Sequence, residues 1–494
     1  MKILLIDPPF KRFTGLASFY FPIGLAYLAA QIRNAGYEAS IYDVDAVKKQ
    51  NSLDFSNEYN KLELYRRCLN DSQHPVWDEI REILNSVEPD LVGITAMTTK
   101  FGSVLKTAEI VKQANPELLV VTGGPHPTLL PEQTLKSKNI DIVVRGEGER
   151  TLLNLIGAIS QRKELSHIKG ISFRRNSRIH HNPPEDFIDN LDQIPFPARD
   201  LLMNLQNYTS EDMGVIMSSR GCPFNCSYCC HMWQKKVRNR SIDNILAEIK
   251  EVQTEYKTSQ FEFKDDSFTI NRKRIMDLCN SIISEGLKIN WSCSTRVDLL
   301  DDELIAKMKK SGCNVIKLGI ETGSQDILEQ TKKGVTFQQI RETTRLLNKN
   351  RIFWSGYFMV GLPTETREDI LKTYEFMKEL NPYYAGLGVY NPFPQTELFD
   401  QAVSMGILHS EVELEHFFNT NPKDYFFVNP SRRIANIDKK EFDRLVSFLT
   451  EEFHKHNIKL TNILRRAWAR RRMYFNAPKL MLADIKKAYR WIFT

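Results

Sequence analysis

The chain has 494 residues, of which 42% are hydrophobic and 26% charged, and its formal net charge is +6. This length exceeds a single hydrophobic core and predicts about three domains, and the composition excludes a disordered chain. The apolar run at the N-terminus is too short for a signal peptide, and no stretch approaches the ~18 apolar residues of a transmembrane helix, so we expect a cytoplasmic protein.

Short apolar strands alternate with helical patterns over the first part of the chain. The strand patterns are KILLID at the N-terminus and four segments at residues 38–45, 90–98, 118–128 and 140–149. Strands that are almost continuous in Val, Ile and Leu and are separated by helices are typical of a parallel, doubly wound sheet. We therefore predict a Rossmann-like domain over residues 1–158.

Small residues follow the ends of these predicted strands, namely Thr95, Thr98, Gly123, Gly124 and Gly146. Doubly wound sheets bind their ligands at the carboxyl ends of the strands, and small residues let a large ligand approach the backbone. The pattern predicts a ligand site at this edge. The alternative is that the glycines only form tight turns.

The rest of the chain divides into three predicted regions. Residues 159–212 have little periodicity apart from one hairpin pattern and are predicted to be a connector. Six strand–helix units over residues 213–400 predict a partial barrel of the TIM type, in which functional residues lie where strands end and loops begin. Residues 401–494 are predicted to form a helical extension. The predicted fold class is therefore α/β.

Four of the eight cysteines lie in GCPFNCSYCC, residues 221–230, directly after the first barrel strand. Clustered cysteines in a cytosolic protein indicate a metal site rather than disulfides. Cys222, Cys226 and Cys229 have the spacing C-x3-C-x2-C, and three thiolates can bind three irons of a 4Fe–4S cluster and leave the fourth open. Zinc with Cys230 or His231 as fourth ligand is the alternative, although structural zinc sites favour paired C-x2-C knuckles. Cys230 otherwise has no assigned role.

This spacing, with Tyr228 before the third cysteine, resembles the radical S-adenosylmethionine (SAM) superfamily. In that family the open iron chelates the amino and carboxylate groups of SAM. An electron from the cluster then splits the sulfonium bond and releases a 5′-deoxyadenosyl radical. The resemblance implies that Tyr228 packs near the adenine.

Residues at the ends of the later barrel strands also match the superfamily. The resemblance implies SAM contacts of four kinds: the ammonium with Asp265 and Asp266, the carboxylate with Arg296, the ribose with Glu321, and the adenine with the backbone at Gly361 and Leu362. Helix capping is the alternative for the two aspartates. A surface salt bridge is the alternative for Arg296.

A doubly wound domain before such a barrel resembles the cobalamin-dependent branch of the superfamily. The matching segments are PIGLAYLAA, VGITAMT, TGGPHPT and VRGEGE, and within that branch the chain is similar to the group of anaerobic magnesium-protoporphyrin ester cyclases and hopanoid methylases. The resemblance implies that cobalamin contacts the strand-end residues Thr95, Thr98, Gly123, Gly124, His126, Gly146 and Glu147. No D-x-H-x-x-G motif marks a cobalt ligand, and we expect His126 to pack or to contact the nucleotide loop.

The resemblance leaves three functions open. The first is cobalamin-dependent methylation of an unactivated carbon, on a small-molecule, lipid or polycyclic substrate, with flavodoxin or ferredoxin as the electron donor. The second is an anaerobic oxidative cyclase or another radical oxidoreductase, because a fold does not fix the reaction. The third is a non-catalytic iron–sulfur scaffold or sensor.

The C-terminal tail is strongly basic. Residues 454–494 contain eleven Lys and Arg and one acid, a net charge of +10, which leaves −4 for the other 453 residues. Helical periodicity over residues 479–493 places apolar side chains on one stripe: Met481, Ile485, Ala488, Tyr489 and Ile492. The first interpretation is a C-terminal helix packed on the acidic body with its apolar stripe inward. Peripheral contact with a membrane is the alternative, because this composition is also typical of an interfacial helix. Nucleic acid is not expected, because no base-reading motif accompanies the charge.

Overall fold

The computed structural model describes residues 1–15, 20–47, 58–233, 235–476, 481, 482 and 485. The chain forms two compact units. Unit 1 consists of Met1–Met213 and Glu411–Tyr425, and unit 2 of Gly214–Ser410 and Phe426–Thr494. Each unit is built on a sheet in which parallel strands predominate, so the predicted α/β class is confirmed.

The described strands of unit 1 form one sheet. They are β1 Lys2–Asp7, β2 Glu38–Asp43, β3 Leu91–Thr95, β4 Leu119–Gly123, β5 Ile142–Val144, β6 Ile171–Arg175 and β7 Arg178–His181. Their order is β2-β1-β3-β4-β5-β6-β7, and the first five are parallel. The chain order reverses between β1 and β3, and doubly wound sheets bind ligands outside the carboxyl ends at such a reversal.

The helices of unit 1 cover this sheet. They are α1 Ile23–Asn34, α2 Glu58–Asn70, α3 Pro75–Val87, α4 Phe101–Ala114, α5 Pro125–Leu129, α6 Pro131–Leu135, α7 Gly148–Ser160 and, in the returning segment, α15 His416–Asn419. In α3, for example, a proline at the first turn starts the helix, and Val76, Trp77, Ile80 and Leu84 are buried at helical spacing. Residues 3–6 of β1 are all buried, as a strand covered on both faces requires.

The predicted connector is part of unit 1. Its hairpin forms β6 and β7, and β6 pairs antiparallel with β5, so the sheet extends beyond the expected boundary at residue 158. The Arg145 guanidinium donates to the carbonyl oxygen of Ile171 at 3.1 Å, which ties the end of β5 to the start of β6. A hairpin pattern shows that two strands pair with each other, but it does not show which larger sheet they join.

The strands of unit 2 follow the order of a partial barrel. They are β8 Val215–Ile216, β9 Ser219–Arg220, β10 Arg238–Asn239, β11 Gln260–Phe263, β12 Asn290–Thr295, β13 Cys313–Glu321, β14 Phe353–Val360 and β15 Tyr384–Val389. Six of the described strands form a parallel sheet in the order β15-β14-β13-β12-β11-β8, while β9 and β10 form a separate antiparallel pair. Neighbours in this sheet follow one another along the chain apart from the β9–β10 pair, as in a β/α barrel.

The helices of unit 2 include the connections between these strands. They are α8 Ile242–Tyr256, α9 Arg272–Ser284, α10 Asp302–Lys310, α11 Gln325–Gln330, α12 Phe337–Lys349, α13 Arg367–Leu380, α14 Glu397–Ser404, α16 Lys439–Ile458 and α17 Leu460–Asn476. Near the end of α16, the Asn457 amide pairs with both backbone groups of Ala385 in β15, at 2.8 and 2.9 Å. This contact gives hydrogen-bond partners to two backbone groups of β15, which lies at the edge of the sheet.

Among the described residues, no helix is both long enough and apolar enough to cross a membrane. Most of the tail helix predicted over residues 479–493 lies outside the described residues. Of its apolar stripe, Met481 and Ile485 are described, and both are exposed.

Two glycines with positive φ generate a stability prediction. Gly286 follows α9, and Gly312 follows α10 in the turn that leads into β13. Gly312 has φ +104°, and an added Cβ would overlap the carbonyl oxygen of Ile289, whereas Gly286 has φ +65° and open space around it. We expect Gly286→Ala to cost about 1–2 kcal/mol from the backbone conformation alone. Gly312→Ala should cost clearly more, measured as the urea midpoint and Tm of the purified protein. Equal losses for the two variants would contradict the packing at Gly312.

Candidate functional site

The cysteine loop begins directly after the first two strands of unit 2. Its ends are joined by the antiparallel pair of β9 and β10, which brings residues 219–220 beside residues 238–239. Gly221 begins the loop with φ +100°, and a Cβ there would overlap the carbonyl oxygen of Lys236, so only glycine fits. Within the loop Cys222 is half-buried, Cys226 buried and Cys229 exposed.

Ser227 fixes the middle of this loop. Its N–H and its hydroxyl donate to the carbonyl oxygens of Thr331 and Gln330 at the end of α11, at 2.9 and 2.7 Å. Its carbonyl oxygen accepts from the N–H of Leu398 at the start of α14, at 2.9 Å. The residues on either side, Cys226 and Tyr228, are thereby held against two helices. Sequence reasoning missed Ser227, because the cysteine motif places no requirement on that position.

Arg296, just past the end of β12, lies against the loop. One of its guanidinium nitrogens is 3.8 Å from Cys226 Sγ, and the guanidinium lies 3.7 Å above the centre of the Phe224 ring. The same group forms a bidentate pair with Asp298, at 3.0 Å for each bond. Arg296 is only 7% exposed, so this salt bridge is buried rather than on the surface. The structure therefore places a fixed cation beside a cysteine sulfur.

The cysteine thiols are electrostatically unequal. A hydrogen bond from Cys229 is the largest cause that lowers the pKa of Cys226, to about 6, and the cations Lys333 and Arg296 lower it further against the effect of burial. The same hydrogen bond raises the pKa of Cys229, and burial raises that of the half-buried Cys222. Cys226 is thus the thiol that the surroundings favour as a thiolate, the form that binds metal.

Among the described residues, the cysteine loop is not arranged as a site for a single metal ion. In the part of the chain that the structure describes, no three His, Cys, Asp or Glu side chains converge as the ligands of one metal ion do. A 4Fe–4S cluster does not need that convergence, because each cysteine binds a different iron. The thiols of Cys226 and Cys229 share a hydrogen bond, and both lie on the loop that Ser227 fixes.

Glu321 ends β13 in a strained conformation, with φ +70°. Its carboxylate accepts from Lys333 Nζ at 2.5 Å, and Lys333 also donates to the carbonyl oxygen of Gly319 at 2.7 Å. A Cβ at Gly319 would overlap the Glu321 carboxylate and lie 2.6 Å from Lys333 Nζ, so the ends of these two flexible side chains would have to shift to accommodate it. The Lys333 carbonyl oxygen accepts from Arg296 at 2.5 Å. Nothing in the sequence distinguishes Lys333 from the neighbouring Lys332.

Tyr228 joins this ion pair to an apolar cluster. Its hydroxyl hydrogen-bonds to Glu321, and its burial, followed by the charge of Glu321, raises its pKa. Its ring packs against a core formed by Ile327, Leu362, Tyr390 and Leu398. The structure therefore brings one expected cluster ligand, Cys226, together with several residues expected to contact SAM, namely Tyr228, Arg296, Glu321 and Leu362.

The two aspartates after β11 have different surroundings. Asp265 is 5% exposed, and its carboxylate accepts from the N–H and hydroxyl of Ser218 and the hydroxyl of Ser219, at 2.5–2.7 Å. These bonds hold the segment that leads into the cysteine loop. Asp266 is exposed and accepts from the N–H of Gly221 at 2.9 Å. Burial raises the pKa of the Asp265 carboxyl group. Only Asp266 presents an exposed carboxylate.

In unit 1, His126 lies in the core of the domain. It is fully buried, its ring centre is 3.8 Å from that of Phe101 and 5.7 Å from that of Phe417, and its Nδ1 is 3.2 Å from Thr98 Oγ1. Burial lowers its pKa to about 3. The ring is therefore neutral and packed between aromatic side chains. This agrees with the expectation that His126 packs.

Other residues expected at the cobalamin site surround the ends of β3, β4 and β5. Gly124 has φ +110°, and a Cβ there would lie 2.9 Å from the carbonyl oxygen of Ala96. Gly146 donates its N–H to Thr128 at 3.0 Å and has open space where a side chain would be. Glu147 is buried and accepts from the N–H of Ile188 at 2.7 Å, which ties the predicted connector to this edge. Thr95 and Gly123 are the last residues of β3 and β4 and are half-buried.

Sequence reasoning missed a buried charge cluster at the ends of β1 and β2. Lys100 pairs with Asp7, and Tyr208 donates its hydroxyl to Asp43. Burial, followed by the charge of Asp7, raises the pKa of Asp43 to about 8. Asp45 accepts from three successive backbone N–H groups, those of residues 10–12, at 2.9–3.0 Å. The signal available in the sequence was the repeated Asp in YDVD at the end of a predicted strand.

Comparison with known proteins identifies two domains in this chain. A family model for the radical SAM superfamily matches residues 216–377, and one for the B12 binding domain matches residues 14–156. The chain is 35% identical to an uncharacterized methyltransferase of Pyrococcus horikoshii, over 90% of this chain and 91% of that protein. It is 30% identical to the anaerobic magnesium-protoporphyrin IX monomethyl ester cyclase of Rubrivivax gelatinosus, over 90% of this chain and 76% of that protein.

The fold is shared with a solved structure of TsrM, a radical SAM methyltransferase from Kitasatospora setae, with cobalamin and a [4Fe-4S] cluster bound. The TM-score is 0.68 at 17% identity, over 91% of this chain and 88% of that one. The chain belongs to the radical SAM enzymes that carry a B12-binding domain, the family that the sequence resembles. It is an enzyme, and its cofactors are a 4Fe–4S cluster, SAM and cobalamin.

Glu365 generates a prediction about pH. It is fully buried, and its carboxylate accepts from the N–H groups of Gly361 and Leu362 at 2.5 and 3.1 Å. Burial raises its pKa from 4.5 to about 8. Because the folded-state pKa is raised, this group lowers stability as pH rises from about 4.5 to 8. Glu365→Gln does not titrate, so its free energy of unfolding relative to wild type should increase by on the order of 2 kcal/mol between pH 5 and pH 9. The Tm difference between the variant and wild type, measured at the two pH values, should increase accordingly.

The matched control for this prediction is Glu368→Gln, at an exposed position on the next turn. Its Tm difference from wild type should change little between the same two pH values. A Glu365→Gln difference that is equally independent of pH would contradict the buried, raised carboxyl group.

Proposed function

We propose that this enzyme methylates an unactivated sp3 carbon in a cobalamin-dependent radical reaction. When bound, the cluster and SAM supply a 5′-deoxyadenosyl radical that removes a hydrogen atom, and cobalamin supplies the methyl group. The proposal depends on one observation above all: the C-x3-C-x2-C loop is fixed by Ser227 in a chain that also carries a B12-binding domain. Relatives named as methyltransferases support it.

Within unit 2, Cys222, Cys226 and Cys229 bind the cluster. The low pKa of Cys226 and the adjacent Arg296 favour the thiolate form that binds iron. Cys230, whose pKa burial raises, is outside the ligand set.

The SAM contacts divide by chemistry. Tyr228, with Gly361 and Leu362, forms an apolar wall for the adenine, and Glu321 accepts from the ribose hydroxyls. Asp266, with its exposed carboxylate, receives the ammonium group, and the guanidinium of Arg296 faces the carboxylate. Asp265, predicted for the ammonium group, instead holds Ser218 and Ser219 beneath the loop.

In unit 1, cobalamin contacts the carboxyl edge of the sheet through Thr95, Thr98, Gly123, Gly124 and Gly146. His126 supports this edge from below by packing against Phe101, and does not bind cobalt. Glu147 acts in the same way through its bond to the backbone of Ile188. Glycine at 146 keeps the backbone open to a large planar ligand, and glycine at 124 allows the close approach to the backbone of Ala96.

Anaerobic oxidative cyclisation is the second candidate function, and the cyclase of Rubrivivax gelatinosus, at 30% identity over most of both chains, supports it. Both functions require an external one-electron donor, for which we propose a flavodoxin or a ferredoxin. For the substrate we propose a lipid or polycyclic molecule, which would suit contact of the C-terminal region with a membrane.

The first test measures radical initiation. Reconstituted wild-type protein with dithionite and SAM should produce 5′-deoxyadenosine, and Cys226→Ala should lower that product at least 100-fold, because a cluster ligand is lost. Cys230→Ala is the matched control and should stay within about twofold of wild type. Equal loss in both variants would contradict the proposed ligand set. The readouts are chromatography of the nucleoside and iron and sulfide content.

The second test separates methylation from cyclisation. With methyl-deuterated SAM and added cobalamin, a methylase should transfer the deuterated methyl group to the protein-bound cobalamin, detected by mass spectrometry. Wild-type protein that cleaves SAM but leaves the bound cobalamin unlabelled would favour the cyclase instead.

Lys333 generates a further prediction through its pair with Glu321. Lys333→Gln leaves that buried carboxylate without its cation, so we expect the KM for SAM to rise about tenfold. Loss of a positive charge near the cluster should also make its reduction potential more negative, measured by spectroelectrochemical titration. Lys332→Gln is the control, because Lys332 is exposed and pairs with Glu397 at the surface. Identical behaviour of both variants would contradict this role.

A further inference from the structure

Helix α17 exposes an apolar stripe to solvent. Leu460, Leu464 and Trp468 are 67%, 59% and 60% exposed, and they are spaced four residues apart. Residues at this spacing lie on one face of a helix. Single exposed apolar residues are ordinary, but three in register on one helix mark an interaction surface.

The polar face of α17 is the one that attaches it to unit 2. Asn462 is buried and donates to the carbonyl oxygen of His456 at 2.8 Å, and Arg466 donates to that of Asn457 at 2.5 Å. The guanidinium of Arg465 lies 4.5 Å above the Tyr383 ring, and that of Arg470 lies 5.9 Å from the Phe353 ring. An ordinary surface helix buries its apolar face and exposes its polar face, whereas α17 packs polar side chains against the protein and exposes apolar ones. The outward direction of the leucines therefore follows from specific contacts on the opposite side.

Basic side chains accompany the apolar stripe. The guanidinium of Arg471 lies 4.2 Å from the centre of the Trp468 ring and donates to the carbonyl oxygen of the same residue at 2.8 Å. Beyond the helix, Met481, Leu482 and Ile485 are also exposed. The segment over residues 454–494 has a net charge of +10. Exposed apolar side chains and a strongly positive net charge thus belong to the same short stretch of chain.

This combination identifies the partner. Nucleic acid would neutralise the cations but leave the leucine and tryptophan side chains in water. A second copy of this segment would be repelled, because each segment carries a net charge of +10. An anionic lipid bilayer accepts both groups, the apolar side chains at the acyl boundary and the cations at the headgroups. We propose that the Leu460–Leu464–Trp468 face of α17 is a docking surface for an anionic membrane. This surface does not depend on the reaction that the enzyme catalyses.

The test uses the full-length protein and vesicles of defined composition. Wild type should co-sediment with phosphatidylcholine vesicles that contain 30% phosphatidylglycerol, and only weakly with phosphatidylcholine alone. The triple variant Leu460→Ser, Leu464→Ser, Trp468→Ser should bind at least tenfold more weakly. The matched control is Leu64→Ser, Met405→Ser, Val428→Ser, which removes three exposed apolar side chains elsewhere and should bind like wild type.

A second measurement follows the indole itself. Trp468 fluorescence, taken as the difference between wild type and Trp468→Phe, should shift to the blue and be quenched by brominated lipids when anionic vesicles are added. Circular dichroism and Tm check that the variants fold, and production of 5′-deoxyadenosine in detergent-free buffer checks the enzyme. Retained production with lost vesicle binding supports the surface and leaves the proposed reaction intact.

Four results would overturn the proposal. The triple variant could bind vesicles as tightly as wild type, or wild type could fail to bind anionic vesicles at all. Alternatively, sedimentation velocity could show a wild-type dimer that the triple variant abolishes, or a gel-shift assay could show nucleic-acid binding that depends on these three side chains.

Discussion

The three hydrogen bonds of Ser227 are the constraint on which the cysteine loop depends. The loop has no regular secondary structure around these bonds, so its thiols keep fixed positions only through contacts with neighbouring elements. Ser227 attaches it to the end of α11 and the start of α14, while β9 and β10 join its two ends. Cys226 and Tyr228 flank Ser227, so the placement of a proposed iron ligand and of a proposed adenine contact depends on one residue.

A second group of contacts couples the strand ends to that loop. Glu321 is held at φ +70° and pairs with buried Lys333, whose backbone accepts from Arg296 beside Cys226. Strained residues persist where surrounding contacts over-determine them, and they cluster at functional sites. Here the strained Glu321, its ion pair with Lys333 and the glycine at 319 are in direct contact. Substitutions among them should therefore have non-additive effects.

Much of this arrangement could be predicted from the sequence. Apolar strands alternating with helices predicted both parallel sheets, and the cysteine spacing located the loop, because local patterns are strong for these features. The hairpin at β6 and β7 was recognised, but its place in the sheet of unit 1 was not, because periodicity does not reveal the neighbouring strand. Ser227 and Lys333 were missed for a similar reason: their importance lies in long-range backbone contacts that leave no local pattern.

Charge was the least predictable property, because its meaning depends on burial. Asp265 and Asp266 are adjacent and chemically identical, yet one carboxylate is enclosed by serine donors and the other is exposed. The tail shows the same limit. Its basic composition suggested cations facing outward around a stripe at residues 479–493, whereas in α17 Arg466 faces the protein and Leu464 faces solvent. A helix anchored through its arginines leaves its leucines for a partner, so in this segment the charge contributes to attachment as well as to attraction.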